Sequence, residues 1–173
     1  MSKALDPLKK EHEVIVKVLR DFEGRIERFW KDEEIITPKN IEDMLRFSEE
    51  YVVKSHFVKE EHCLLPVLAE GGVGEDSINV VIKEHKSVER IVRRMRSLFR
   101  LYSEKKVGIE EVLDTCMELI EFLLQHVYKE DALIFPCCRE FSPEKVEEIL
   151  RCYESVGPNR EVDVGEMLKE GGG

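Results

Sequence analysis

Six residues of metal-ligating type recur in this chain in a doubled arrangement. His56 opens the stretch HFVKEEHCLLP, and His126, seventy positions later, opens HVYKEDALIFP. Both read His, three residues, Glu, an acid, and then an apolar residue and Pro. Two more histidines share similar surroundings, His12 in KKEHEVI and His85 in VIKEHKSV. The order is single His, HxxxE, single His, HxxxE. A helix turns about 100° per residue, so Glu60 lies about 40° round from His56 and about 6 Å along. Glu130 stands in the same relation to His126. Both pairs point along apolar stripes, where an uncompensated carboxylate costs several kcal/mol. A bound cation removes that cost, supplying positive charge to the carboxylates and a Lewis acid to the imidazoles.

Such ligands converge only if the elements that carry them do. The chain has 173 residues, 42% of them hydrophobic, which fits one globular domain with a sizeable core. Strand signals are nearly absent. Four long segments have helical period, with starts marked by Asp6-Pro7 and Thr37-Pro38 and breaks at Gly71-Gly72-Val73-Gly74 and Gly108. The first stripe is Leu5, Leu8, His12, Ile15, Leu19, Phe22, Ile26 and Phe29. The second carries Ile41, Leu45, Val52, His56, Glu60 and Cys63. The third, from about Asp76 to Ser103, carries Ile78, Val81, Ile82, His85, Val88, Val92, Met95 and Phe99. The fourth carries Val112, Leu119, Phe122, Leu123, His126, Glu130 and Leu133. The expected fold is all-α, an antiparallel up-down-up-down four-helix bundle. Ser142-Pro143 starts a short fifth helix, which either caps the bundle or forms a homodimer contact. The expected domain is 1–156, with 157–173 a loosely ordered tail. His12 to His56 is 44 residues and His85 to His126 is 41, so each helix contributes a ligand at a similar height.

Charge and cysteine usage bound the rest. A net charge of −10 argues against nucleic acid and anionic membranes as partners. No apolar run approaches the roughly 20 residues of a membrane span. MSKALDPLKKEHE has no signal-peptide core, so the expected location is cytoplasmic. The cysteines, Cys63, Cys116, Cys137, Cys138 and Cys152, are odd in number and form no CxxC pair. They read as reduced thiols, neither a zinc ribbon nor a disulfide framework. The basic run from Lys83 to Lys106 faces an acidic fourth helix and reads as a charge-paired seam.

The chain resembles the hemerythrin-like HHE cation-binding family over about residues 5–140. The resemblance rests on His12, on HFVKE at 56–60, on His85 and on HVYKE at 126–130, in family order, with LLP and IFP trailing. It implies a bundle holding two irons, with zinc as a substitute, ligated by His12, His56, Glu60, His85, His126 and Glu130. The two glutamates would be bridges. It implies a protein that binds, senses or reacts with oxygen, nitric oxide or peroxide. An iron-level sensor without turnover and a reversible oxygen carrier are the alternatives, and the ligand set does not distinguish a carrier or sensor from a di-iron oxidase, peroxidase or iron–sulfur repair enzyme. Oxygen carriers of the family have a further histidine where this chain has Glu89, which is expected to reach the metal or else to pair with Arg93 or Lys86. Between Glu130 and Asp131, the repeat favours Glu130 as the bridge. His62, about 240° round from His56, should face away.

Overall fold

The computed structural model describes residues 3–137, 141–156 and 162–169, and among these every regular element is helical. A 3-10 turn, Lys3–Leu5, leads into α1, Asp6–Trp30. Helix α2, residues 38–70, is a continuous run of Pro38–Arg46, Phe47–His56, Phe57–Lys59, Glu60–Leu64 and Leu65–Glu70. Helix α3 is Glu75–Ser103. Helix α4, residues 109–134, joins Ile109–Lys129 to Glu130–Ile134. After the 3-10 turn Phe135–Cys137 come α5, Pro143–Ser155, and α6, Val164–Lys169. Among the described residues, no helix is long and apolar enough to cross a membrane.

Local chemistry sets the ends. The Thr37 side chain accepts from the Asn40 amide while Asn40 accepts from the Thr37 amide, closing a reciprocal cap with Pro38 in the first turn. Ser142 caps α5 through the Lys145 amide. Asp6 does not cap α1, because the turn Lys3–Leu5 already continues into it. Helices α1, α2 and α3 stop at left-handed residues, Asp32, Gly72 and Lys105. In each case the next amide folds back, Glu33 to Arg28, Val73 to Leu68 and Lys106 to Leu101, satisfying carbonyls the helix leaves open.

The four long helices share one core. Ile15, Leu19, Phe22 and Ile26 of α1 pack with Leu45 and Val52 of α2, Val88 and Met95 of α3, and Leu119 and Leu123 of α4. Every residue of the expected α2 stripe is buried. The α4 stripe fails at one point, Leu133, which is 64% exposed. Leu133 falls in a stretch of wider helical pitch. In Glu130–Ile134 the Phe135 amide donates to the Glu130 carbonyl, an i→i+5 bond, and Phe135 takes the buried place. The same wide turn occurs in Glu60–Leu64, where the Leu65 amide donates to Glu60. Each is followed by a proline, Pro66 or Pro136, which has no amide to donate and crowds the preceding turn.

A second apolar cluster closes the end of the molecule. Ile149 and Tyr153 of α5 are buried with Leu5, Leu8, Leu64 and Phe135. Cys63 and Cys152 form a disulfide across this contact, with Sγ atoms 2.02 Å apart. The expectation of reduced thiols is therefore corrected for these two. Their separation of 89 residues concealed the pairing, which only the docking of α5 on α2 creates. Cys116 is buried and free, Cys137 is exposed and free, and Cys138 lies outside the described residues.

The charge seam holds in part. Arg94 of α3 pairs with Glu118 of α4, while Arg96 turns the other way to Glu42 and Glu49 of α2. Within the stretch expected as a tail, residues 162–169 are described. Helix α6 packs on α1, and the buried Arg25 donates to the Met167 carbonyl at 3.0 Å while its Nε holds Asp21 at 2.9 Å. Residues 157–161 and 170–173 lie outside the described residues. Arg25→Ala should speed hydrogen exchange in 164–169 and lower stability by about 1–3 kcal/mol, with metal content unchanged. Exchange mass spectrometry and urea unfolding check this.

Candidate metal centre

All four long helices turn ligands to one place: His12 from α1, His56 and Glu60 from α2, His85 from α3, His126 and Glu130 from α4. Each of the six is buried. They form two overlapping sets, His12, His56, Glu60 and Glu130, and Glu60, His85, His126 and Glu130, with ligating atoms within 4.8 Å of one another in each. The two carboxylates belong to both. Glu60 lies 3.4 Å from His56 Nε2, 3.8 Å from His12 Nε2 and 3.2 Å from His85 Nε2. Glu130 lies 3.3 Å from His12 Nε2, 3.4 Å from His126 Nε2 and 3.9 Å from His85 Nε2.

Outside this ring stands a second ring of carboxylates, one on the Nδ1 of each histidine. Asp131 meets His12 at 3.0 Å, Glu11 meets His56 at 2.8 Å, Glu61 meets His85 at 2.7 Å and Glu84 meets His126 at 2.9 Å. An Nδ1–H donated outward fixes the ring and leaves Nε2 as the inward lone pair, as a metal-binding imidazole requires. Lys59 in turn holds Glu11, and Lys129 holds Glu84. Phe57 stacks on His85 with centroids 3.8 Å apart, and Phe135 stacks on His12 at 5.2 Å. An open groove of about 590 Å³ runs past His12 and Asp131, lined also by Lys9, Glu13, Lys17 and Arg20.

The residues fit a cation. Both oxygens of Glu60, Oε2 of Glu130, and Nε2 of His85 and of His126 are buried without a hydrogen-bond partner. In the metal-free protein, protons take the place of that charge. Burial disfavours a charged His12, but Asp131, Glu130 and Glu60 outweigh it and push the imidazole up to about 11. Burial likewise opposes a charged His85, yet Glu60 and Glu61 raise it to about 9. For Glu60, burial works against ionisation, and His56, His12 and His85 overcome it to hold the carboxyl well below its usual range. The hydrogen bond from His126 keeps Glu84 down at about 2, with Lys129 assisting.

A family model described as the hemerythrin HHE cation binding domain matches residues 3–138. The chain belongs to this hemerythrin family. No curated protein and no solved structure matches it. The match contains all six inward residues.

The cluster of this hemerythrin-family chain, as its side chains are placed, leaves Glu89 outside. Its carboxylate is 38% exposed and turns to Arg93 at 3.7 Å, so the expected seventh ligand stands apart from the cluster. One turn beyond His85, it lies toward the surface between α2 and α3, where it lines a groove with Glu49, Val53 and Lys54. Glu130 lies in the cluster and Asp131, 43% exposed, stays outside it on His12. His62 is exposed. Sequence reasoning passed over Glu11, Glu61, Glu84, Lys59 and Lys129. The signal was in the repeat itself, since KEH occurs twice and HxxKE followed by an acid occurs twice.

Glu11→Gln should weaken metal binding by roughly 10–100-fold, read by chelator competition, while Glu89→Gln leaves it unchanged. The raised histidines also fix a pH dependence. A folded pKa above the unfolded value of 6.5 adds stability that is full below that pH and is lost as pH rises through about 9 and about 11. Metal-free protein should therefore lose stability progressively from about pH 6.5, most steeply up to about pH 9 where both histidines contribute and then up to about pH 11 through His12 alone, and metal-loaded protein should not. At neutral pH, metal uptake should release about two protons per chain, so affinity falls as pH falls. Calorimetry in buffers of different ionisation enthalpy measures that release.

Proposed function

We propose that this hemerythrin-family protein holds two iron ions and binds, senses or reacts with oxygen, nitric oxide or peroxide. The observation that carries the reading is the sharing of Glu60 and Glu130 by two histidine pairs. His12 and His56 would hold one ion, His85 and His126 the other, and the two carboxylates would serve both. Charge supports the number. With neutral imidazoles, the six carboxylates and two lysines of the centre leave four negative charges in excess, the charge of two divalent cations. Mixed imidazole and carboxylate donors suit iron, and zinc fills the same ligands in an iron-poor preparation.

Bound iron supplies a change of oxidation state and a coordination position for a small molecule. The chain does the rest. The outer carboxylates hold each imidazole with its lone pair inward, and Phe57 and Phe135 keep water from two of the rings. Four inward histidines, with Glu89 at the position where the oxygen carriers of the family have a fifth, give fewer nitrogen ligands than those carriers have, which favours reaction or sensing over reversible carriage. The architecture we infer is an antiparallel up-down-up-down bundle with α5 on its end, supported by the shared core and the short connections at 31–37, 71–74 and 104–108. A second reading, an iron-level sensor without turnover, is favoured by the buried polar atoms left without a hydrogen-bond partner, which a bound cation would satisfy.

Anaerobic loading should give two irons per chain by metal analysis, and admission of oxygen or nitric oxide should change the optical spectrum. One ion per chain sinks the dinuclear reading. Clean return of the starting spectrum on removing oxygen would make the protein a carrier instead. Glu130→Ala should abolish loading of both ions, whereas Asp131→Asn should weaken binding by roughly 10–100-fold and keep the stoichiometry.

A further inference from the structure

We propose that the Cys63–Cys152 disulfide is a redox-operated latch on the metal centre, which holds α5 closed over it and releases it on reduction. Cys63 stands three residues after Glu60, within the wide turn that begins at that ligand. Cys152 stands on α5, whose Ile149 and Tyr153 bury against Leu5, Leu64 and Phe135. Phe135 in turn lies flat on the His12 ring, with planes 3° apart. The bond thus joins two walls of the centre, one through the backbone of Glu60 and one through the face of His12. Among the described residues, α5 also rests on two buried side chains, Ile149 and Tyr153, on a partly buried apolar fringe that includes Val146, Leu150 and Val156, and on a surface pair between Lys145 and Glu70 at 3.4 Å. A cross-link over 89 residues restricts the opened chain somewhat more than a local one, so its loss shifts the cap toward opening.

The two sulfurs are unequally reachable. Cys63 is 3% exposed, while Cys152 is only partly buried. A thiolate of a protein or small-molecule dithiol therefore attacks Cys152 Sγ. The Cys63–Cys152 bond breaks, and Cys63 leaves as a thiolate and takes up a proton. The second thiol of the reductant then attacks the mixed disulfide, forms the reductant's own disulfide and frees Cys152 as a thiol. Two electrons and two protons pass from the dithiol to the protein. With the bond gone, α5 opens more often, Phe135 loses its cover, and the metal exchanges faster.

The inference rests on the metal-binding reading, and its test separates the two. Full-length protein is loaded with zinc, which has no redox chemistry of its own, and compared with and without a phosphine reductant. Zinc transfer to a chromogenic chelator and hydrogen exchange in 143–155 and 60–68 are followed. Reduction should speed zinc release by roughly tenfold or more, together with exchange in both segments. Cys152→Ala should behave as reduced protein whether or not phosphine is present, and Cys137→Ala as wild type. If Cys152→Ala fails to fold, reduced wild type decides alone. Five alkylatable thiols in the protein before reduction would overturn the proposal. Normal zinc uptake with equal release in both states would overturn the coupling alone, even with faster exchange in α5. A chain that takes up no zinc in either state would overturn the metal-binding reading and the coupling with it.

Discussion

Two carboxylates and four imidazoles are gathered where almost none of their surface is exposed. Glu60 and Glu130 are 1% and 2% exposed. An ionised carboxylate in that position is tolerable only with compensating charge on several sides. The rest of the molecule is arranged around this demand. Each long helix carries an inward histidine at the same level, so no helix can slide by a turn without unmaking the set. The outer acids come next, and the lysines after them, so that charge alternates from the centre outward. Without metal the alternation is kept by protons on His12 and His85, which is why those imidazoles bind protons so strongly.

The duplication in the sequence is a duplication of this charge order. In KEH, the glutamate before each single histidine orients the paired helix's histidine, Glu11 on His56 and Glu84 on His126. In HxxKE, the lysine holds that glutamate in place. The acid that follows reaches into the other half, Glu61 to His85 and Asp131 to His12. Glu60 and Glu130 do the same, each contacting histidines of both halves. Neither pair of helices can complete the centre alone. The two units are interlocked, and their separation would strand buried charge on both sides.

The helical period exposed the four stripes, because apolar residues and ligands fall on the same faces. It also separated Glu130 from Asp131, since one residue of rotation moves a short acid from the cluster to its rim. It could not show the wide turns after Glu60 and Glu130. A stripe drawn at 3.6 residues per turn carries Leu133 inward, whereas an i→i+5 bond brings Phe135 there. Spacing alone also left both alternatives open for Glu89. Four residues beyond His85 is the correct spacing for a ligand, but the backbone there carries the side chain toward solvent, where Arg93 is nearer than the cluster. The Cys63–Cys152 pair depended on where a separate helix docks, and no local pattern encodes that.

The repeat breaks at the position seven residues after each paired histidine. In the first half that residue is Cys63, buried and bonded to α5; in the second it is Leu133, open to solvent. Both leave equivalent wide turns, so the turn itself does not decide burial. The difference is the fifth helix, which lies against the end of α2 and has no counterpart on α4 among the described residues. The inner ring of ligands is therefore nearly symmetric while its cover is not. His85 is faced by Phe57, a residue of the bundle itself, and His12 by Phe135, which is itself packed beneath α5. A nearly symmetric set of side chains thus sits under an asymmetric roof, with the ring on His12 packed beneath α5 and the ring on His85 supplied by the bundle itself.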